Sequence, residues 1–143
     1  MLFTAKPDDF AKDIDVVGCY LEHAGEIALL LRPPHKSSGS TWGLPAGKVE
    51  AGETLTHAMV RELSEETGLT VAAEALIPAD TFFVVHPSRN LVFHTFSLTL
   101  PEKPTIVLNP DEHEAIRWVS PRDALLLPLV VDQDECIRTH YGI

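Results

Sequence analysis

Short apolar runs separated by turn-forming residues occupy the first forty positions of the chain. Residues 14–21 and 27–31 are rich in β-branched and aliphatic side chains, and a Gly-containing stretch lies between them. This pattern predicts a β-hairpin. Residues 33–40 combine two prolines with a Ser/Gly cluster, which predicts a loop because proline lacks the N–H that a β-ladder needs.

The apolar spacing changes to a helical period after residue 54. Residues 55–67 place apolar side chains on one face, and Gly68 follows where a helix C-cap glycine is expected. Ser120, Pro121 and Asp123 are typical of a second helix start, with serine at the N-cap and proline at N1. A last amphipathic helix is predicted over residues 129–140.

Strand-like patterns separate these helices. We predict strands over residues 69–77, 81–85, 91–100 and 115–119, with a turn at 87–90. Strands that precede, separate and follow helices predict an α/β fold with a mixed sheet. A length of 143 residues is enough for one core, so a single domain over residues 1–143 is expected.

The chain is acidic, with 21 Asp and Glu against 11 Lys and Arg and a formal charge of −10. This balance disfavours binding to duplex nucleic acid, which needs a basic surface. The beginning of the chain carries acidic residues rather than a signal peptide, and no apolar run has the length of a membrane span. We therefore expect a cytoplasmic protein that does not enter a membrane.

Three glutamates of the predicted helix lie within one turn of each other, and two of them fall in or beside its apolar stripe. On a helical wheel at about 100° per residue, Glu66 falls between Leu55 and Met59, inside the core-facing stripe. Glu62 lies at the edge of that stripe, and Glu65 lies outside it but within one turn of both. A solvated acidic face is the usual interpretation of such residues, but a carboxylate beside core side chains is costly without a partner.

A divalent cation removes both the repulsion among these carboxylates and the cost of burying them. Hard oxygen ligands spaced at i, i+3 and i+4 suit Mg²⁺ or Mn²⁺, and Mg²⁺ takes further ligands from water and substrate phosphates. The spacing therefore indicates metal-assisted chemistry on a phosphate ester or anhydride. Arg61 is positioned to pair with a carboxylate of the preceding loop such as Glu53, or to form an ordinary surface salt bridge.

Residues 47–69 resemble the Nudix box, the signature of the Nudix hydrolase family. Its pattern is Gly, five residues, Glu, seven residues, Arg-Glu, an aliphatic, any residue, Glu-Glu, any residue, Gly and an aliphatic. Every specified position is filled, by Gly47, Glu53, Arg61, Glu62, Leu63, Glu65, Glu66, Gly68 and Leu69. Ala46, just before the box, stands where many members have glycine.

The resemblance implies a Nudix fold, in which a mixed β-sheet is sandwiched between α-helices. It also implies that Glu62 and Glu66 are metal ligands and that Glu65 is a ligand or the base that activates water. The Gly47 carbonyl oxygen would complete part of the metal shell, and Arg61 would pair with Glu53.

Four residues outside these positions are weaker candidates for contact with substrate or metal. Arg32 resembles an arginine that contacts phosphate in some relatives, and Lys48 is a further phosphate candidate. Glu112 and Glu114 lie in an acidic loop whose place in the chain is similar to that of the loop that supplies the general base in some members, and a solvated acidic loop is the alternative interpretation.

The function expected from these features is Mg²⁺-dependent hydrolysis of a nucleoside diphosphate linked to another group. Nucleoside triphosphates, damaged nucleotides and nucleotide sugars all fit this description. Two alternatives stay open: pyrophosphohydrolysis at the 5′ end of RNA, and a non-catalytic module that senses nucleotides. The sequence does not distinguish a monomer from a homodimer.

Overall fold

Eight strands form one sheet in the computed structural model, which describes residues 1–143. The strands are β1 (Leu2–Phe3), β2 (Ile14–His23), β3 (Glu26–Leu31), β4 (Trp42–Gly43), β5 (Ala46–Lys48), β6 (Ile77–Val85), β7 (Asn90–Thr99) and β8 (Ala115–Val119). The helices are α1 (Leu55–Thr67), α2 (Pro121–Ala124) and α3 (Gln133–Tyr141). None of the helices combines the length and apolar character needed to cross a membrane.

Strand β2 organises the sheet. It runs parallel to β7 along its length, whereas the other strand pairs are antiparallel, so the sheet is mixed. On its other side β2 pairs with β5 through residues 16–18 and with β3 through residues 22–23. The β2–β3 hairpin is confirmed, and its turn places Ala24 and Gly25 at positive φ, as a type I′ turn requires.

The two faces of the sheet pack against different helices. Val17, Cys19 and Leu21 are fully buried in a cluster with Ala58, Met59 and Leu63 of α1. Tyr20, whose side chain points to the opposite face, lies in a cluster with Ala124 of α2 and Ile137 of α3. The predicted α/β fold, with a mixed sheet between helices, is confirmed.

Helix α1 has the predicted bounds because both of its ends carry capping residues. The Thr54 hydroxyl accepts a hydrogen bond from the His57 N–H at 3.1 Å. Gly68 ends the helix in the left-handed conformation, at φ 73°. At the start of α2, the Ser120 hydroxyl accepts from the Asp123 N–H at 3.1 Å, so that predicted helix start is also confirmed.

The predicted strand over residues 69–77 is wrong. Residues 69–72 pair with no strand, Ala73–Ala75 form a 3₁₀ turn, and β6 begins only at Ile77. Leu69 and Val71 pack against the cluster under α1, which accounts for their apolar alternation without a ladder. The alanines that follow have low strand propensity and favour the turn.

The last helix is four residues shorter at its start than the range 129–140 predicts. Residues 129–131 instead run beside Trp42, whose N–H donates to the Pro128 carbonyl oxygen while its own carbonyl accepts from the Val130 N–H. Asp132 then adopts the left-handed conformation, at φ 67°, and α3 begins at Gln133. The backbone bonds to Trp42 prevent residues 129–131 from joining the helix.

The α1 face of the core yields a stability prediction. Leu63→Ala removes a fully buried side chain and should lower the free energy of unfolding by about 2–5 kcal/mol, measured by urea denaturation. Ser64→Ala, at the exposed next position of the same helix, should change it by less than about 0.5 kcal/mol. Equal effects of the two substitutions would contradict this packing.

Candidate functional site

A cavity of about 640 Å³ lies beside strand β5 of the sheet, and residues of α1 and of the start of α3 also line it. Glu66, Gly47, Phe93, Gln133 and Cys136 are among the residues that line it. This volume lies within the range of small-molecule sites in proteins. The carboxylate helix and the loop before it therefore border a cleft that can admit a ligand of nucleotide size.

Strand β5 lies directly against the carboxylates of α1. A Cβ atom at Gly47 would overlap the carboxyl group of Glu62, so only glycine lets the backbone come this close. One residue earlier, the Ala46 N–H donates to Glu66 Oε1 at 2.7 Å. Glu62 and Glu66 are 9% and 8% exposed, so the helix face that the wheel identified is buried together with its two carboxylates.

Arg61 joins the loop to the helix. Its Nε and one terminal nitrogen donate to the two carboxylate oxygens of Glu53 at 2.7 and 2.8 Å, which is the bidentate arrangement. It also donates to Glu62 Oε1 at 2.8 Å, to the Lys48 carbonyl oxygen at 2.9 Å and to Glu65 Oε2 at 3.3 Å. Glu65 itself is exposed.

Burial and charge separate the pKa values of these carboxyl groups. Burial raises the pKa of Glu66 to about 8; the Ala46 N–H opposes the shift and the Glu62 charge adds to it. Burial also raises the pKa of Glu62, although Arg61 counteracts it. The hydrogen bonds from Arg61 and the Glu50 N–H lower the pKa of Glu53 to about 2. Glu53 is therefore an anion at neutral pH that is paired with Arg61, whereas no lysine or arginine forms a salt bridge with Glu66.

The four candidates outside the carboxylate helix differ in whether they line the cavity. Arg32 and Lys48 line the cavity, and the Arg32 charge lowers the pKa of Glu66. The Glu112 charge raises the pKa of Glu66, although Glu112 Oε1 also lies 3.5 Å from the Lys36 ammonium. Glu114 is exposed and does not line the cavity.

Two cavity residues were not identified from the sequence. His113 is 5% exposed, and its Nδ1 lies 3.8 Å from Glu66 Oε2 without a hydrogen-bond partner. Its acidic neighbours suggested a solvated loop, so nothing in the sequence indicated a buried imidazole. Gln133 is 7% exposed and its amide nitrogen has no partner, yet its position in a predicted amphipathic helix gave no signal of a site.

The oxygen atoms of the site suit a hard divalent cation, but the side chains do not surround one completely. Carboxylate oxygens of Glu62, Glu66 and Glu65, with the Gly47 carbonyl oxygen, are the ligands that Mg²⁺ and Mn²⁺ prefer. No three acidic, histidine or cysteine side chains converge closely enough to enclose an ion by themselves. Such a site suits a cation that keeps open positions for water and substrate oxygens.

A family model and two similar proteins match this chain over different lengths. A family model described as the NUDIX domain matches residues 12–140. The CTP pyrophosphohydrolase of Escherichia coli strain K12 is 32% identical over 82% of this chain and 84% of its own length. The human 8-oxo-dGDP phosphatase NUDT18 is 37% identical over 46% of this chain, a segment that is 20% of that protein.

Solved structures share the fold as well. The solution structure of the E. coli ORF135 protein has a TM-score of 0.73 at 28% identity, covering 92% of this chain and 89% of that one. The crystal structure of the MutT NUDIX hydrolase from Burkholderia pseudomallei has a TM-score of 0.75 at 24% identity, covering 87% and 95%. Agreement of sequence and fold along nearly the whole chain shows that this protein belongs to the Nudix family of hydrolases.

Proposed function

We propose that this protein is a pyrophosphohydrolase that depends on Mg²⁺, or Mn²⁺ in its place, and cleaves a nucleoside diphosphate linked to another group. One observation carries the proposal: Glu62 and Glu66 are buried together, Glu66 lies in the wall of a cavity, and no lysine or arginine forms a salt bridge with Glu66. Nucleoside triphosphates, damaged nucleotides and nucleotide sugars are the candidate substrates. The similarity to a CTP pyrophosphohydrolase favours a nucleoside triphosphate.

The residues around the cavity divide the work of the reaction. Glu62, Glu66 and the Gly47 carbonyl oxygen would hold the cation, with Glu65 as a further ligand or as the base that takes a proton from the attacking water. When bound, the cation supplies neutralisation of the pyrophosphate oxygens and lowers the pKa of that water. Arg32 and Lys48 line the same cavity and would bind the phosphate oxygens.

Arg61 acts on this site without contacting the substrate. Its bidentate pair with Glu53 fixes the guanidinium, which in turn orients Glu62 and binds the carbonyl oxygen of Lys48. The backbone that presents the Gly47 carbonyl oxygen and the helix that presents the carboxylates are thereby kept in register. We therefore assign Arg61 and Glu53 to positioning within the active site.

Glu66→Gln tests the proposal directly. The substitution keeps the acceptor for the Ala46 N–H but removes the carboxylate, so Mg²⁺-dependent hydrolysis should fall by at least about 100-fold. The measurement is kcat/KM on a panel of nucleoside triphosphates and nucleotide sugars, with products resolved by mass. Glu74→Gln, an exposed charge in the 3₁₀ turn, is the matched control and should leave the rate unchanged.

The same panel separates the alternative functions. Metal-dependent nucleotide binding without any product would favour a sensing module. Release of pyrophosphate from triphosphorylated RNA, with a steep salt dependence of binding, would favour an RNA substrate. Equal rates for the wild type and Glu66→Gln would refute the role of this carboxylate.

The raised pKa of Glu66 predicts how stability depends on pH without metal. The folded protein holds the proton between the ordinary pKa of 4.5 and about 8, so stability falls as pH rises through that window. In EDTA, the wild type should therefore lose up to about 4 kcal/mol of unfolding free energy relative to Glu66→Gln between pH 5 and pH 8.

Urea denaturation of both proteins at the two pH values measures this difference. Adding Mg²⁺ at pH 8 should stabilise the wild type but not Glu66→Gln, because the ligand binds only the folded carboxylate site. A stability difference that does not change with pH would contradict the assigned pKa of Glu66.

A further inference from the structure

His113, in the loop between β7 and β8, has a ring nitrogen that is buried without a partner. The residue is 5% exposed, and its Nδ1 makes no hydrogen bond. Buried polar groups are nearly always paired, so an unpaired ring nitrogen requires a physical reason. Because Nδ1 is closed to solvent, its partner must be a group of the protein itself and not a bound substrate.

Glu66 is the one carboxylate close to this nitrogen. Its Oε2 lies 3.8 Å from Nδ1, and no other Asp or Glu oxygen lies within 4 Å of the ring nitrogens. A hydrogen bond from nitrogen to oxygen needs a separation of about 2.7–3.2 Å, so the two atoms are about 1 Å too far apart. A small rotation of the two side chains spans that difference.

The backbone is fixed on both sides of the His113 ring. The His113 N–H donates to the Asn109 carbonyl oxygen at 2.9 Å, and the Glu114 N–H donates to the Leu31 carbonyl oxygen at 2.9 Å. Leu31 belongs to β3, which pairs with β8 directly after the loop. The loop therefore holds the ring beside Glu66, and side-chain rotation alone can bring Nδ1 to Oε2.

The other oxygen of Glu66 already has a donor of this kind. Its Oε1 accepts the Ala46 N–H at 2.7 Å. A carboxylate oxygen has two acceptor sites, so each oxygen can accept one N–H and still offer a site to a cation. Donors at both oxygens fix the plane of a carboxyl group, and metal-binding carboxylates are commonly oriented by such hydrogen bonds.

The surroundings of His113 favour a neutral imidazole. Burial lowers the pKa of His113, and the Arg32 charge lowers it further. A neutral imidazole carries one proton, so one ring nitrogen donates and the other accepts. The hydrogen bonds of the ring decide which nitrogen carries the proton. A carboxylate that binds a cation has no proton to give, so the nitrogen that faces Glu66 must be the donor.

We propose that His113 is a positioning residue of the metal site, which donates a hydrogen bond from Nδ1 to Glu66 Oε2 when the cation is bound. The inference rests on the proposed function, because it takes Glu66 to be a ligand of Mg²⁺. It goes beyond that function by assigning the orientation of a metal ligand to a residue outside the box. The loop between β7 and β8 thereby contributes to metal binding.

The tautomer of His113 in the wild-type protein gives the first test. Long-range proton–nitrogen NMR correlations show which ring nitrogen carries the proton, and the His113 ring is assigned through its own backbone resonances. At pH 8 and saturating Mg²⁺, the proton should be on Nδ1. A proton on Nε2 alone overturns the proposal, because Nδ1 would then have no hydrogen to donate.

Metal affinity gives the second test. The amide nitrogen of asparagine is as many bonds from Cα as Nδ1 is, so His113→Asn keeps a donor near Glu66, whereas His113→Phe keeps a ring without one. Mn²⁺ binding, followed by EPR, should weaken about 10- to 100-fold in His113→Phe and by less than about threefold in His113→Asn. Equal losses in the two variants, or no loss in His113→Phe, overturn the proposal.

Two controls separate this role from a general effect on the fold. Urea denaturation without metal shows that each His113 variant is folded. His35→Phe is the matched substitution, because His35 is exposed and does not line the cavity, and it should leave Mn²⁺ affinity unchanged. A loss in His35→Phe as large as that in His113→Phe overturns the assignment to His113.

The two proposals fail in different ways. Wild-type Mn²⁺ affinity in His113→Phe, together with a loss in Glu66→Gln, overturns the role of His113 and leaves the proposed function intact. Equal Mn²⁺ affinity in Glu66→Gln and the wild type overturns both. A wild type that binds Mn²⁺ through Glu66 but hydrolyses no nucleotide overturns the proposed function, and the tautomer and affinity tests still decide the role of His113.

Discussion

One guanidinium carries the constraint on which the site depends. Arg61 binds Glu53 through two parallel hydrogen bonds and reaches Glu62 and the Lys48 carbonyl oxygen with its remaining donors. Its planar fork fixes the direction of every one of these bonds, which a lysine ammonium could not do. These bonds thus fix the position of the loop before α1 relative to the carboxylate-bearing face of α1. Glu62, one of the two buried carboxylates, lies against the β5 backbone at Gly47 and has Arg61 as its charge partner.

Burial of Glu62 and Glu66 opposes stability and serves the site. The core under α1 holds the helix in place, and its apolar side chains supply the low-dielectric surroundings that raise the pKa of Glu66. A helix chosen for stability alone would carry apolar residues at these two positions. Pro45 contributes as well: it has no N–H, so the flanking N–H groups of Leu44 and Ala46 are the donors that the segment presents to the cavity wall.

The local parts of this arrangement could be predicted from the sequence. A period of 3.6 residues, a capping threonine and a terminal glycine set the limits of α1, because each acts within a few residues of chain. The same period placed Glu66 on the buried face. The pairing of Arg61 with Glu53 spans only eight residues. The box pattern added two predictions that periodicity could not make: that the Gly47 backbone belongs to the site, and that the chain is a member of the Nudix family.

The tertiary structure decided the rest, because the groups involved are distant in sequence. The apolar residues that alternate in residues 69–77 include Leu69 and Val71, which pack on the core. The same alternation occurs in a β-strand, and only the lack of a neighbouring strand at residues 69–72 distinguishes the two cases. Leu44 and Gln133 are 89 residues apart, and the bond between them orients the amide. A sequence pattern indicates which side of a segment is buried. Which polar atom remains unpaired depends on contacts between distant segments, because these contacts form only when the sheet brings the segments together.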